Sequence, residues 1–277
     1  MTMNWLESVL FGFVSGLAEF FPVSAQAHQT MFLKLFGATT GPLVQLMIHA
    51  ALVLGLYQEC AQQISALLRE QRMLRVPRSR RKRQPDMVKI LDMRLLRTAS
   101  IVLLLGFVAY PRMSAWREDL HFIAPVLIIN GILLYIPMHM STGNKDSRSM
   151  SQLDSVLLGL AGAFAVIPGI SRVGMVIAAG VVRGADREQS LNWSLLMSIP
   201  ALICLMGFDV YSIMMEGIGV LSLPILLQIA LISAAAYAGA RISIRVMRFM
   251  AVQMGYSGFS YYCWGAALFC FIMYLTV

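Results

Sequence analysis

The chain has 277 residues, of which 58% are hydrophobic and 13% are charged, whereas a soluble domain carries about 25% charged residues. This composition excludes a soluble globular fold and predicts an all-α polytopic membrane protein whose residues 1–277 form one membrane domain. The net charge of +8 is concentrated in one segment. The chain has neither a P-loop nor a dinucleotide-binding fingerprint, which argues against a nucleotide-driven pump.

Long apolar runs without Lys, Arg, Asp or Glu predict the membrane-spanning helices. About 20 helical residues cross a bilayer core, and uninterrupted runs of this length favour helices over barrel strands. Five runs have 20 or more residues: Leu35–Gln58, Phe122–Asn144, Gln189–Phe208, Gly217–Ala240 and Phe249–Val277. A sixth, Thr98–Pro111, is shorter and spans the core only if its flanking arginines reach the interface.

A basic segment sets the expected orientation of the chain. Eleven of the 22 basic residues lie between Arg69 and Arg97. Between two membrane helices this pattern favours a cytoplasmic loop at residues 59–97 that contacts anionic lipids, rather than a segment that binds nucleic acid. Leucines at helical spacing within Ile64–Leu74 predict that the preceding helix continues along the membrane surface.

The remaining charged connections follow from this loop by alternation. Arg112–His121 and Tyr211–Leu221 fall outside, and Ser141–Gln152 falls inside. The other basic positions expected inside are Arg183, Arg187, Arg241, Arg245 and Arg248. Because Lys145 and Arg183 then share a side, Leu153–Val182 must enter and leave by one face. We therefore predict a helical hairpin there.

Two apolar segments are interrupted by a Pro and a charged residue. They are Gly16–His28 and Gly162–Gly174, each with Gly six residues before Pro and Ser two or three residues after it. The two prolines, Pro22 and Pro168, are 146 residues apart. Broken segments at matching positions of two halves indicate a site near the membrane midplane of duplicated halves.

The two breaks favour an anion site. Pro22 and Pro168 end their helices, and Ser24 and Ser171 are suitable N-caps for the helices that follow. Each break therefore leaves a helix N-terminus inside the membrane, with unpaired N–H groups that attract phosphate. Arg172 adds a guanidinium suited to phosphate oxygens.

Ionisable residues inside a membrane are candidates for function. Glu19 and Arg172 are the two such residues in the breaks, and the alternative is a structural ion pair that joins the halves. His28, four residues after Ser24, is a candidate catalytic or ligand-binding residue, with a structural role equally open. We assign His49 and His139 to structural roles.

These residues resemble the two signatures of bacterial undecaprenyl-diphosphatases of the bacitracin-resistance type. The first is Glu19-Phe-Phe-Pro-Val-Ser24 followed by His28, and the second is Pro168-Gly-Ile-Ser-Arg172-Val-Gly174. Length and segment order match as well, so the resemblance covers essentially the whole chain. It implies an inverted-repeat helical bundle with about six spanning helices and two re-entrant helix pairs. Repeat 1 would cover about residues 1–111 and repeat 2 about residues 153–245.

The resemblance also implies roles for the site residues. Glu19 would hold a divalent metal ion, Mg²⁺ or Ca²⁺, or polarise water, and Arg172 would clamp the diphosphate. His28 would act as acid or base, and Ser24 would lie beside the phosphate as nucleophile or donor. The residues expected to contact the substrate are Ser15, Gly169, Ser171, Arg172 and Gly174.

The implied activity is hydrolysis of undecaprenyl diphosphate to the monophosphate in cell-envelope lipid carrier recycling. The chain departs from the family at Ser15, where an acid is usual, and at Ala25, where a second Ser is usual. The alternative is therefore a non-hydrolytic homologue that binds or translocates a polyprenyl phosphate. Both place the protein in the bacterial plasma (inner) membrane, with the site facing the periplasm. Gly12 and Gly16 permit close helix packing, within one chain or in a homodimer.

Overall fold

The structure is a computed structural model that describes residues 2–81, 83–140, 143–145, 147–218, 221–253 and 255–276. Within these residues the chain forms ten α-helices. The first five are α1 (Trp5–Phe20), α2 (Ala25–Leu35), α3 (Pro42–Leu74), α4 (Met87–Gly106) and α5 (Leu120–Met138). The last five are α6 (Gln152–Ala163), α7 (Arg172–Val182), α8 (Arg187–Glu216), α9 (Leu223–Gln253) and α10 (Gly258–Thr276).

Five helices are long and apolar enough to cross a membrane: α3, α5, α8, α9 and α10. They contain most of the five charge-free runs, so the prediction of an all-α polytopic membrane protein is confirmed. The sixth run, Thr98–Pro111, lies in α4 and in the 3₁₀ segment Phe107–Trp116 that follows it. Because the first half of α4 carries several charges, its assignment as a sixth span stays a prediction.

Two of the predicted connections are shorter than the sequence indicated. α3 continues to Leu74, as the leucine spacing of Ile64–Leu74 predicts, and α4 begins at Met87. The segment predicted as a loop at residues 59–97 is therefore largely helical, with its connection at residues 75–86. The predicted outer connection Tyr211–Leu221 is likewise helical as far as Glu216. Both predictions placed the helix ends wrongly. A run without charged residues indicates the part of a helix that lies in lipid, but it does not indicate where the helix ends.

Two helical hairpins lie within the bundle, α1–α2 and α6–α7. The open end of the first is closed by a hydrogen bond from the Thr39 N–H to Thr2 Oγ1 (3.0 Å). The open end of the second is closed by an ion pair between Arg183 and Asp154. The hairpin predicted over Leu153–Val182 is therefore present. The four helices have 11 to 16 residues, too few for a full crossing, and their re-entrant position in a membrane stays a prediction.

The two hairpins enter the bundle from opposite ends. α3 and α8 are antiparallel, because His49 near the start of α3 contacts Asp209 near the end of α8. The first hairpin leads directly into α3, and the second leads directly into α8 at Arg187. The 22-residue separation of Arg187 from Asp209 in α8 amounts to about 33 Å at 1.5 Å per residue. The open ends of the two hairpins thus lie about one bilayer thickness apart, and the hairpin tips meet between them.

The helix contacts of the first half of the chain correspond to those of the second half. α1 packs against α9 and α6 packs against α4, while α3 pairs with α8 and α5 pairs with α10. α1 approaches α9 closely because Gly12 and Gly16 leave no room for a side chain beside the Ile232 and Ala236 carbonyl groups. The close packing predicted for these glycines therefore occurs within the chain. The division into repeats at about 1–111 and 153–245 stays a prediction. The pattern of helix pairs assigns α5 and α10 to the repeats as well.

Candidate active site

The two helix breaks differ in how their serines are used. Ser171 is the N-cap of α7, and its Oγ accepts a hydrogen bond from the Gly174 N–H (3.2 Å), which confirms the predicted cap. Ser24 occupies the same position before α2, but its side chain makes no capping bond and its φ is +69°. A left-handed conformation is strained for Ser and is tolerated most often at functional sites. The side-chain cap predicted at Ser24 was therefore wrong, and the Ser24 hydroxyl makes no hydrogen bond within the described residues.

A buried asparagine joins the two hairpin tips. The Asn130 side chain, from the middle of α5, donates to the Pro22 carbonyl (3.1 Å) and accepts from the Ser171 N–H (2.9 Å). The Ser171 hydroxyl also donates to the Phe21 carbonyl (3.3 Å). Breaks that are about 150 residues apart in sequence are therefore held side by side. Asn130 was missed from sequence because it lies alone in an apolar run.

The tips open into a cavity of about 370 Å³, within the usual range for ligand pockets. Of the predicted site residues, Glu19, Ser24, Ser171 and Arg172 line it. It is also lined by Ala25, Gln26, Gln29, Thr30, His49, Tyr110, Arg117 and Asp209. Exposed Glu118 and Glu216 lie at its mouth. The structure thus brings four of the predicted residues together and adds polar residues that the sequence did not single out.

The guanidinium of Arg172 is held at the inner end of this cavity. Its Nη2 donates to Glu19 Oε1 in a buried ion pair, and its Nε donates to Ser198 Oγ (3.3 Å). The ion pair proposed as the structural alternative is therefore present, and both of its members line the cavity. A buried ion pair holds Arg172 in place, while Nη1 makes no hydrogen bond within the described residues.

His49 and Asp209 form a second buried polar pair in the cavity. His49 Nδ1 lies 2.6 Å from Asp209 Oδ2, and both residues are less than a tenth exposed. From sequence, His49 is assigned to a structural role, and Asp209 is not singled out as a site residue. The two residues are 160 positions apart, on α3 and α8, so no local spacing signals that they meet.

Arg117 is a further cationic residue of the cavity that sequence reasoning missed. Its guanidinium lies over the Tyr110 ring at 3.4 Å from the centroid, and its Nη2 donates to the Tyr110 carbonyl (3.2 Å). Its own carbonyl accepts from Thr30 Oγ1 (2.7 Å), while its buried Nε makes no hydrogen bond within the described residues. Burial lowers the pKa of Arg117 below its ordinary value, but an arginine still keeps its charge at neutral pH.

His28 lies outside the cavity, on the other side of α2. Its Nδ1 is hydrogen-bonded to the Ser24 carbonyl and its Nε2 to the Tyr262 hydroxyl, both at 2.8 Å. The ring stacks on Tyr262 and lines an apolar groove between α2 and α10. Both ring nitrogens are thus engaged away from the cavity, and the predicted role of His28 as acid or base stays a prediction.

Three residues predicted to contact substrate serve packing in the structure. Ser15 is fully buried, and its Oγ donates to the Phe11 carbonyl (2.7 Å). Gly169 has a φ of +102°, and a side chain there would meet Val126; one at Gly174 would meet Pro22. These residues are absent from the cavity lining. Gly174 lets the second tip approach the first at Pro22, and contact of all three residues with substrate stays a prediction.

The residues around Glu19 do not make a metal site by themselves. Among the described residues no three His, Cys, Asp or Glu side chains converge on one point. The Glu19 carboxylate is shared with Arg172, and Ser15, one turn away, directs its hydroxyl to a carbonyl. Hard divalent cations require several oxygen ligands. The Mg²⁺ or Ca²⁺ predicted at Glu19 therefore does not fit the protein ligands present, and no catalytic step is derived from it.

Comparisons with known proteins place these residues in a family. The family model described as bacitracin resistance protein BacA matches residues 8–269. An undecaprenyl-diphosphatase of Methanobrevibacter smithii is 26% identical over 279 residues, covering 99% of each chain. One of Alkaliphilus metalliredigens is 27% identical and covers 95% of this chain and 96% of the relative. Undecaprenyl-diphosphatase 1 of Shouchella clausii is 29% identical over 73% and 72% of the respective chains.

Proposed function

Because the chain belongs to the bacitracin resistance protein BacA family, we propose that it is a membrane phosphatase that hydrolyses undecaprenyl diphosphate to undecaprenyl phosphate. The observation that carries the proposal is one cavity lined by Arg172 and by the first residues of both α2 and α7. A diphosphate is the part of this lipid that such a cavity recognises. The undecaprenyl chain is apolar and remains among the helices.

The helix starts supply neutral donors to the phosphate groups. In the first turn of α7 the Ser171 and Gly174 N–H groups are occupied, whereas those of Arg172 and Val173 make no hydrogen bond within the described residues. At α2 the Ser24 side chain leaves the first turn uncapped. Unpaired N–H groups at a helix start carry partial positive charge and bind phosphate oxygens.

Two guanidinium groups match the two phosphates of the substrate. Arg172 presents Nη1 while its other nitrogens are held by Glu19 and Ser198. Arg117 lines the same cavity, with its guanidinium fixed over the Tyr110 ring. Charge-assisted hydrogen bonds from arginine to phosphate are among the strongest that proteins make. We assign Arg172 to one phosphate and Arg117 to the other, with Ser24 beside them as donor or nucleophile.

The catalysis expected of this site is positioning and charge stabilisation. A nucleophile attacks the terminal phosphorus, the bond to the bridging oxygen breaks, and undecaprenyl phosphate leaves. Negative charge on the transferred phosphoryl group and on the bridging oxygen is stabilised by the arginines and the helix starts. The alternative, a protein that binds or translocates the lipid intact, uses the same contacts without this step.

The distribution of charge supports a cavity that opens to the periplasm from the plasma (inner) membrane. Its mouth is lined by Glu118 and Glu216, at the end opposite Arg183 and Arg187. Cytoplasmic ends of membrane proteins are enriched in Lys and Arg. Toward the end of the bundle that carries Arg183 and Arg187, three arginines of α9 surround Glu59. The contact of the Arg69–Arg97 segment with anionic lipids remains a prediction.

The experiment is identification of the products from undecaprenyl diphosphate incubated with the purified protein in detergent. The proposal predicts equal amounts of inorganic phosphate and undecaprenyl monophosphate, measured by a phosphate assay and by mass spectrometry of the lipid. Bound lipid recovered entirely as diphosphate would contradict it and support the non-hydrolytic alternative.

A further inference from the structure

The hydrolysis needs a general base, a group that accepts a proton. The structure reduces the number of residues that can take this role in the cavity. His28 lies outside the cavity and has both ring nitrogens engaged. Glu19 is held in an ion pair with Arg172, and its carboxylate already accepts a hydrogen bond from the guanidinium. Ala25, next to Ser24 at the start of α2, has no functional group.

His49 has the features that a general base requires. Its ring lines the cavity, its Nδ1 is paired with Asp209 at 2.6 Å, and its Nε2 makes no hydrogen bond within the described residues. An ionised Asp that accepts from Nδ1–H fixes the tautomer with a lone pair on Nε2 and stabilises the imidazolium that forms later. The pair also joins the two halves of the chain, so its geometry is fixed by the packing of α3 on α8.

We infer that His49, oriented by Asp209, is the general base of this phosphatase and activates a water molecule for attack on the terminal phosphorus. This inference rests on the proposed function. The water oxygen bonds to phosphorus as one water proton passes to His49 Nε2. The bond between phosphorus and the bridging oxygen breaks, and its electron pair stays on undecaprenyl phosphate. Inorganic phosphate leaves, and the His49 proton passes to the departing oxygen or to bulk water.

The surrounding charges are compatible with this role. The titratable and charged groups that share the cavity with the pair are Glu19, Tyr110, Arg117, Glu118, Arg172 and Glu216. Glu19 is neutralised by Arg172, and the two other acids are exposed at the mouth. Asp209 is thus the carboxylate that stabilises a proton on His49, and the bound diphosphate provides further negative charge.

The test compares His49→Gln with His139→Gln, a matched control. His139 also bonds a neighbour through Nδ1, the Tyr135 carbonyl at 2.8 Å, but it lies outside the cavity. We expect His49→Gln to lower kcat about 10²–10⁴-fold, the usual contribution of a general base, with KM unchanged, and His139→Gln to behave as wild type. Asp209→Asn should also lower kcat, because an amide no longer fixes the required tautomer.

Two further readouts separate a catalytic role from a structural one. The pH profile of wild-type kcat should have an acidic limb, and this limb should be absent from His49→Gln. Added imidazole should restore part of the rate of His49→Ala. Wild-type kcat in His49→Gln, an equal rise of KM, or no rescue of a folded His49→Ala variant would overturn the inference. No phosphate release by the wild type would instead overturn the proposed function.

Discussion

Arg172 and Glu19 form an ion pair between α7 and α1, with side chains that are 7% and 11% exposed. This pair links the tips of two hairpins that enter the bundle from opposite ends, and it lines the cavity proposed to hold a diphosphate. A buried charge that loses its partner is costly, whereas a buried pair replaced as a whole is often tolerated. The contribution of the pair to stability can therefore be measured separately from its role in binding.

The first prediction concerns the contribution of the Arg172–Glu19 pair to stability. Arg172→Leu leaves Glu19 unpaired and should lower the free energy of unfolding by about 3–5 kcal/mol. The double variant Arg172→Leu/Glu19→Leu should recover a large part of that loss and remain inactive, because the phosphate contacts are gone. Denaturation in detergent measures the stabilities. A double variant that loses as much stability as the sum of both single variants would show that the two residues do not interact.

The second prediction concerns Asn130, whose side chain satisfies the Pro22 carbonyl and the Ser171 N–H. Asn130→Ala leaves the buried Ser171 N–H without a partner among the described residues, at about 1–3 kcal/mol, and leaves the Pro22 carbonyl with only the Cys263 thiol as donor (3.7 Å). We expect a clear drop in unfolding temperature and a lower kcat, since the two helix starts lose their alignment. The exposed Asn144 provides the control, and Asn144→Ala should match the wild type. Equal behaviour of the two variants would disprove the proposed link.

The third prediction compares two helical glycines. A side chain at Gly16 would overlap with the Ala236 carbonyl of α9, whereas one at Gly265 in α10 would meet nothing within 4 Å. Gly16→Ala should destabilise the protein by about 1–3 kcal/mol through overpacking. Gly265→Ala should leave stability unchanged or raise it by about 0.5–1 kcal/mol, as Ala is the better helix former. The unfolding temperature measures both, and a tolerated Gly16→Ala would show that α1 and α9 are less closely packed.

The fourth prediction assigns Arg117 to the second phosphate. Arg117→Gln removes one charge-assisted contact of about 1.5–3 kcal/mol and should weaken binding of a prenyl diphosphate roughly tenfold or more. Binding of the corresponding monophosphate should change little, because Arg172 suffices for one phosphate. Arg112, an exposed arginine of the same connection outside the cavity, supplies the control Arg112→Gln. An equal loss for both ligands would remove Arg117 from the phosphate site.

Much of the fold could be predicted from the sequence because lipid imposes strict rules. Charge-free runs located the five spanning helices, and the shared side of Lys145 and Arg183 required a hairpin over Leu153–Val182. The structure places these residues together, with the Lys145 N–H bonded to the Gly184 carbonyl at 3.0 Å. Helix ends were less predictable, since α3 and α8 extend beyond their apolar runs into charged sequence.

The site was predictable only where one short segment holds its parts. Glu19 and Ser24, like Ser171 and Arg172, stand beside a helix break that Pro marks in sequence. His49, Arg117 and Asp209 come from three further parts of the chain and meet only in the folded cavity, and Asn130 of α5 joins the two hairpin tips. The ring of His28, four residues after Ser24, lies on the other side of α2, so proximity in sequence to Ser24 does not place it in the cavity, and its predicted role stays a prediction.

The most direct test of the whole account is the rate of phosphate release from undecaprenyl diphosphate by the wild type, Arg172→Ala and Arg183→Ala. Both arginines form an ion pair with a buried acid, but only Arg172 lines the cavity. The account predicts release by the wild type and by folded Arg183→Ala, and loss of release in folded Arg172→Ala. Release that persists in Arg172→Ala would contradict the assignment of the active site.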